Sequence, residues 1–131
     1  MSLLRRWFEE VWNQGREATI DEMLEPNVIV HGLIDTAGNE ITGIDLFKSF
    51  WRGLRTTLSD IHVDVQETVT EGDRSVARYV VTGTYKGEGA GNSPKEKPVH
   101  FTGMSMALIK DGKFIEVWNN TDFATMYRQM G

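Results

Sequence analysis

The stretch Lys110–Tyr127, KDGKFIEVWNNTDFATMY, decides the fold that we predict for this chain of 131 residues. Its Asp111–Gly112 pair is typical of a two-residue hairpin turn, because both central positions of such a turn need positive φ. The apolar residues Phe114, Ile115, Val117 and Trp118 predict a strand, and the apolar residues after Asp122 recur at helical spacing. Asp122 would therefore lie where the last strand meets a closing helix.

Two interpretations of Asp122 remain open at this point. Strict alternation along the strand turns Trp118, Asn120 and Asp122 to one face, where a ring, an amide and a carboxylate would form a pocket wall. A carboxylate in an apolar cavity would have a raised pKa. Asp is also among the best helix N-caps, and a carboxylate that accepts from backbone amides would have a lowered pKa.

Composition limits the classes of partner. The chain has 14 Lys and Arg against 19 Asp and Glu, without a basic block, which argues against nucleic acid or an anionic membrane as partner. It has no cysteine, so disulfides and thiol catalysis are excluded and a reducing cytoplasm is expected. The first residues do not resemble a signal peptide, and no apolar run reaches membrane-spanning length. We expect one domain over residues 1–131.

Periodicity predicts helices first and strands afterwards. Residues 2–14 have an amphipathic helical pattern, Thr19 and Glu22 suggest a capping box for a second helix that ends before Pro26, and Thr42 could cap a third helix. A short strand is expected from Val28 to His31. From residue 60 the period becomes two, and four long strands follow in hairpins. This order predicts an α+β fold with an antiparallel sheet and helices on one face.

Such a sheet must curve to cover its helices. Gly83 and Gly103 lie inside predicted strands and could permit the bend. A curved sheet closed at one end by helices would leave a conical cavity at the other. The glycine-rich and charged loop over 87–97 offers little to bury, so we expect it to be mobile.

The chain resembles a known family at several of these points. The segments FEEVWNQG, VIVHG, LSDIHVDV and DGKFIEVWNNTD together are similar to the SnoaL-like polyketide cyclases, which belong to the cone-shaped superfamily of nuclear transport factor 2 and ketosteroid isomerase. The resemblance covers nearly the whole chain. It implies a cone-shaped curved antiparallel sheet wrapped around the N-terminal helices, of the cystatin-like or NTF2-like type, that encloses a pocket.

The resemblance also implies site residues. The family's acid/base aspartate matches Asp122, its histidine after the first strand matches His31, and His100 lies where some members have a pocket histidine. Many members have a histidine in place of Tyr85, so this chain departs from the pattern there. Candidate ligand contacts are the aromatic, amide and thioether side chains of Trp12, Phe47, Trp51, Tyr85, Met104, Trp118 and Asn120.

The expected activity is acid/base-catalysed intramolecular aldol closure, or a related isomerisation, of a small apolar or aromatic carbonyl compound, without a cofactor. The three histidines are far apart in sequence, so a metal site is not expected. A non-catalytic binding module and an epoxide hydrolase or isomerase on the same scaffold are alternatives. We expect a homodimer that packs through the free face of the sheet.

Overall fold

The computed structural model describes residues 2–35, 37–86 and 96–131. The helices are α1 (Leu3–Trp7, continued by a π-helical segment, Phe8–Asn13), α2 (Glu17–Met23), α3 (Ile44–Thr57) and α4 (Phe123–Met130). The strands are β1 (Leu24–Ile34), β2 (Glu40–Thr42), β3 (His62–Glu71), β4 (Arg74–Tyr85), β5 (Lys97–Lys110) and β6 (Lys113–Thr121). None of the helices in these ranges is long and apolar enough to cross a membrane.

The described strands form one curved, unclosed sheet in the order β2-β1-β6-β5-β4-β3. Strands β3 to β6 pair antiparallel with their neighbours in the chain, as sequential hairpins predict. β1, however, runs parallel to β6. The expectation of a wholly antiparallel sheet is therefore wrong, because two strands this far apart in sequence are not joined by a hairpin and either direction is open to them. The predicted α+β class is confirmed.

Aromatic side chains join the helices to one face of the sheet, here called the inner face. The ring of Trp7 lies 5.3 Å from that of Phe47 on α3 and 5.6 Å from that of Phe114 on β6. Phe8 packs 4.7 Å from the ring of Tyr79 on β4. These rings are buried, and such contacts add specific geometry to the hydrophobic effect. The opposite face of the sheet is here called the outer face.

Three predicted helix ends differ from the structure. The helix predicted over 2–14 is α-helical only to Trp7 and then widens into the π-helical segment. α2 begins two residues before Thr19, whose buried hydroxyl donates to the Glu10 carboxylate at 2.7 Å and so does not cap the helix. α3 has Gly43 as its N-cap, while Thr42 lies in β2.

Two further predictions concern connecting segments. β1 is longer than the strand predicted from Val28 to His31, and the three-residue β2 was not predicted, because so short a segment has no measurable period. The prediction of a mobile loop over 87–97 falls mostly on residues 87–95, which lie outside the described residues.

Candidate functional site

A bulge in β6 decides which side chains reach the inner face. Leu108 pairs with Glu116 and Ile109 pairs with Phe114, so Ile115 is an extra residue on β6. The bulge reverses the alternation: Phe114 points inward before it, and Val117, Asn119 and Thr121 point inward after it. Successive side chains of a strand point to opposite faces of the sheet, so a one-residue insertion moves every later side chain to the opposite face.

A small, partly open and largely apolar cavity of about 60 Å³ lies between the inner face and the helices. Typical sites for small ligands are about 300–1,000 Å³, so the cavity must widen before it can hold more than a very small molecule. Among its described lining residues, none is Asp, Glu, His, Lys or Arg. The polar lining residues are Ser105, Asn119 and Thr121, and the apolar ones include Trp7, Phe8, Trp12, Phe47, Phe50, Leu54 and Phe123.

The polar lining side chains form one hydrogen-bonded chain with Tyr79. The Tyr79 hydroxyl lies 2.7 Å from Thr121 Oγ1 and 3.0 Å from Ser105 Oγ. Ser105 Oγ donates to Asn119 Oδ1 at 2.7 Å. Asn119 Nδ2 in turn donates to the His31 carbonyl at 3.0 Å, which fixes the orientation of the amide.

Counting the available protons gives the direction of each hydrogen bond among Tyr79, Ser105, Asn119 and Thr121. Ser105 gives its proton to Asn119, so its oxygen accepts from Tyr79, and the Tyr79 oxygen accepts from Thr121. All three hydroxyl protons are then used within the chain. Each amide nitrogen carries two protons, and Asn119 uses one of them on His31. Among the described residues, only the His31 carbonyl accepts from Asn119, so the second N–H of Asn119 is left for a ligand oxygen. Thr121 Oγ1 retains lone pairs for a ligand hydroxyl.

Tyr79 reaches across β5 because Gly103 has no side chain. Tyr79 pairs with Gly103, and Gly103 pairs with Thr121, so the three residues lie in one row across three strands. A Cβ on Gly103 would lie 2.8 Å from the Tyr79 ring. Burial raises the pKa of the Tyr79 hydroxyl, which therefore stays neutral at physiological pH.

The Asp122 carboxylate does not face the cavity. It is exposed, and it accepts from the Thr125 backbone N–H at 3.0 Å as the N-cap of α4. Hydrogen bonds from the Thr125 hydroxyl and backbone lower the pKa of Asp122. The prediction that Asp122 has a raised pKa and lies in apolar surroundings is wrong, because the bulge at Ile115 turns the even-numbered residues that follow it to the outer face. The capping interpretation agrees with the geometry.

Asp122→Asn should leave the melting temperature nearly unchanged near neutral pH, since Asn caps helices about as well as Asp. Asp122→Ala should lower it by a few degrees, because α4 then loses its cap. A depressed pKa stabilises the fold above the pKa of the unfolded state, and this contribution is lost as pH falls through the folded pKa. Thermal melts of the three proteins from acid to neutral pH measure both effects. Equal melting of the Ala variant and the native chain would contradict the capping role.

His31 lies on the outer face between two carboxylates. Its Nε2 is 2.6 Å from Glu116 and its Nδ1 is 3.0 Å from Glu40. Its ring stacks on that of Trp118 at 5.5 Å, and the Arg74 guanidinium lies 5.6 Å from the Trp118 ring. The hydrogen bond to Glu116, followed by that to Glu40, raises the pKa of His31. The His31 side chain therefore links Glu40 of β2 to Glu116 of β6 across β1, most strongly when the ring is protonated, and it does not line the cavity.

His31→Gln should destabilise the protein more at acid than at alkaline pH. A raised pKa contributes stability that is full below the unfolded value of about 6.5 and is lost as pH rises through the folded pKa. The difference in melting temperature between native and variant should therefore shrink as pH rises above about 6.5 and through the raised pKa of folded His31. His100→Gln is the control, because the contacts of His100 to Gln129 use its backbone. A difference that stays constant with pH would contradict the ion pair.

The other predicted site residues divide between the two faces. Trp12 and Phe47 line the cavity. Trp51 is buried and donates its Nε1–H to the Val11 carbonyl at 2.9 Å, while Tyr85 packs against the core near the end of β4; neither lines the cavity. The side chains that alternation or the bulge places on the outer face are His100, Met104, Trp118 and Asn120.

Sequence reasoning missed the four residues of the polar chain. Asn119 and Thr121 were excluded by the assumed alternation, and Ser105 and Tyr79 gave no signal of their own. Glu116 and Asn120 were the only signal for the true arrangement, because charged and polar residues suit an outer face better than an inner one.

The fold is that of an NTF2-like α+β protein, and the comparisons with known proteins agree. The sequence model of the family described as SnoaL-like polyketide cyclase matches residues 2–130. The chain belongs to the SnoaL-like polyketide cyclase family. No curated protein sequence matches it.

Solved structures with the same fold include two candidate polyketide cyclases. IdmH of Streptomyces antibioticus is 29% identical with a TM-score of 0.80, over 95% of this chain and 93% of that one. A protein of Bacillus cereus is 26% identical with a TM-score of 0.79, over 95% and 75%. AclR of Streptomyces galilaeus, a candidate hydroxylase, shares the fold at 22% identity with a TM-score of 0.78, over 98% and 92%.

Proposed function

We propose that this chain binds a small, largely apolar carbonyl compound in the inner cavity and promotes its intramolecular aldol closure. The observation that carries this proposal is the second amide N–H of Asn119, in a cavity wall whose other described residues are apolar except for Ser105 and Thr121. An N–H in a largely apolar site is a stronger donor to a carbonyl oxygen than one in bulk water, because the local dielectric constant is lower. The family membership and the neighbouring candidate cyclases support the reaction class.

The proposed chemistry uses position and hydrogen bonding more than a side-chain base. In aldol closure solvent takes a proton from a carbon next to one carbonyl, and the enolised carbon attacks the other carbonyl carbon. The oxygen of that carbonyl gains negative charge and then takes a proton from solvent, so that protons balance. The polar chain holds Asn119 in place for that developing charge, which is the preorganised stabilisation that oxyanion sites provide. The apolar rings hold the substrate folded, so that its two reacting carbons meet.

Binding can be tested with cyclohexanone against methylenecyclohexane, in which a CH₂ group replaces the oxygen at nearly the same shape. One net hydrogen bond is worth about 1 kcal/mol, so the ketone should bind about fivefold more tightly. NMR titration that follows the indole N–H signals of Trp7 and Trp12 measures both affinities, because these rings line the cavity. Asn119→Leu should abolish the preference for the ketone, and Asn120→Leu, one residue along on the outer face, should keep it.

Turnover can be tested with a linear methyl diketone whose carbonyl groups are separated by three methylenes. Its aldol closure and dehydration give a conjugated cyclohexenone that absorbs in the ultraviolet. We expect acceleration over buffer, and a loss on the order of 10²–10³ in rate for Asn119→Leu. Asp122→Asn decides the family's acid/base assignment: an unchanged rate leaves Asp122 as a cap, and a comparable loss would restore it as the catalytic carboxylate.

A non-catalytic binding module is the second candidate, and the absence of a titratable side chain among the described cavity-lining residues favours it. Ketone-selective binding without acceleration of the diketone would establish this alternative. The lack of cysteine still suggests the cytoplasm as the location of either activity.

We further propose a homodimer through the outer face. Two of its apolar side chains are strongly exposed, Val69 at 64% and Met104 at 49%, and Arg74, Arg78, Glu67 and Glu116 supply both signs of charge. Such a face is suited to pairing with a second copy of itself about a two-fold axis. Sedimentation equilibrium at micromolar concentration should give a dimer for the native chain and a monomer for Met104→Glu. Tyr127→Glu on α4 is the control, and a native monomer would contradict the proposal.

A further inference from the structure

A second hollow lies on the surface between α3 and α4, with a volume of about 420 Å³. Its apolar rim is unusually exposed, with Ile34 at 60%, Leu46 at 42% and Tyr127 at 62%. Its other lining residues are Asp35, Ser49, Phe50, Gly53, Leu54, Thr57, Met126 and Met130. We call it the α3–α4 groove.

The α3–α4 groove and the inner cavity share two side chains. Phe50 and Leu54, one helical turn apart on α3, line both spaces. The Phe50 ring meets the Phe123 ring edge-on at 6.4 Å and the Trp12 ring at 6.5 Å. A partition of two side chains thus separates the groove from the cavity, and one of them is an aromatic ring that a rotamer change would move.

Gly53 gives the groove its open floor. It lies inside α3, where glycine costs about 1 kcal/mol relative to alanine. A Cβ on Gly53 would meet nothing within 4 Å, so close packing does not explain why this position is a glycine. The glycine leaves empty space next to the partition.

We propose that the groove is a second subsite that holds the aliphatic chain of a ligand whose carbonyl end lies in the inner cavity. The two volumes together reach the size of ordinary ligand sites, which the cavity alone does not. The groove is lined mainly by apolar side chains, and Asp35 is the one charged residue among its described lining residues. This inference rests on the proposed carbonyl site and adds its substrate class: ketones with an unbranched apolar tail.

The test measures the affinity of straight-chain methyl ketones of increasing length. Each buried methylene contributes about 0.8 kcal/mol, or about fourfold in affinity, so binding should tighten steadily as the tail lengthens. The Gly53 backbone amide should shift in NMR spectra only with the longer ketones. Affinity that levels off at the shortest ketones, with no Gly53 shift, would overturn the proposal.

Gly53→Leu supplies the variant, since it fills the groove and replaces a helix-interior glycine by a good helix former. This variant should remove the increase in affinity that the longer tails give, while its affinity for the shortest ketones should stay unchanged. Gly53→Ala should reduce this increase in affinity only in part. Thr56→Leu, on the same helix but outside the groove, should retain the full increase. An undiminished gain in Gly53→Leu would also overturn the proposal.

The two proposals fail in different ways. If long ketones bind and shift Gly53 but Asn119→Leu makes no difference to any ketone, the groove stands and the carbonyl site fails. If cyclohexanone binds through Asn119 but tail length has no effect, the carbonyl site stands and the groove fails.

Discussion

Gly32→Ala is expected to cost more than about 4 kcal/mol of folding free energy, a loss large enough to unfold many domains. Gly32 has φ of +84°, and a Cβ there would lie 1.8 Å from the backbone oxygen of Asn119. The neighbouring pair of His31 with Trp118 is part of the parallel β1–β6 ladder. The added methyl would therefore have to separate β1 from β6, the strand that carries Asn119 and Thr121.

Gly38→Ala is the matched control, because Gly38 has the same φ of +84° but nothing within 4 Å of a Cβ. It should cost only the about 1–2 kcal/mol of a left-handed alanine. Urea denaturation of both variants measures the difference, which isolates the contact with Asn119 from the backbone conformation. Equal losses for the two variants would show that the strands can move apart at little cost.

Gly103→Ala should have the second largest effect, about 3 kcal/mol. Its methyl would lie 2.8 Å from Cε1, Cζ and the hydroxyl of Tyr79. The ring cannot yield easily, since Phe8 packs against it and its hydroxyl bonds to Ser105 and Thr121. Overpacking costs about 1–3 kcal/mol, and a buried hydroxyl left without a partner costs about as much again.

A double-mutant cycle with Tyr79→Leu identifies the cause of this loss. If Gly103→Ala acts by displacing the ring, it should cost less than about 1 kcal/mol when the shorter leucine replaces Tyr79. If Gly103→Ala still lowers the free energy of unfolding by about 3 kcal/mol in the Tyr79→Leu background, the strain lies in the backbone of β5 instead. The cycle is measured by urea denaturation, as for Gly32.

Strong periodicity explains why much of the fold could be predicted from the sequence. The four hairpin-joined strands and the helices α3 and α4 follow from long repeats of two or 3.6 residues. The parallel pairing of β1 with β6 could not be predicted, because no local pattern states which distant strand completes a sheet. The π-helical segment was missed because its buried residues also fit an α-helix.

The candidate site was predicted less well, and one residue accounts for much of the error. Ile115 is apolar and resembles the rest of its strand, yet it shifts the register by one position. Trp118, Asn120 and Asp122 were therefore expected inside, where Asn119 and Thr121 lie. Trp12 and Phe47 were expected as ligand contacts, and both line the cavity.

The bulge at Ile115 also bears on how this scaffold changes its chemistry over evolution. The strand after the bulge carries two alternative sets of functional groups, an amide and a hydroxyl on one parity and a carboxylate and an indole on the other. Loss of one residue at position 115 would exchange the two sets in a single genetic event, with every other codon unchanged. A lineage could thus pass between a neutral hydrogen-bonding interior and an acidic aromatic one by a three-nucleotide deletion rather than by a series of substitutions.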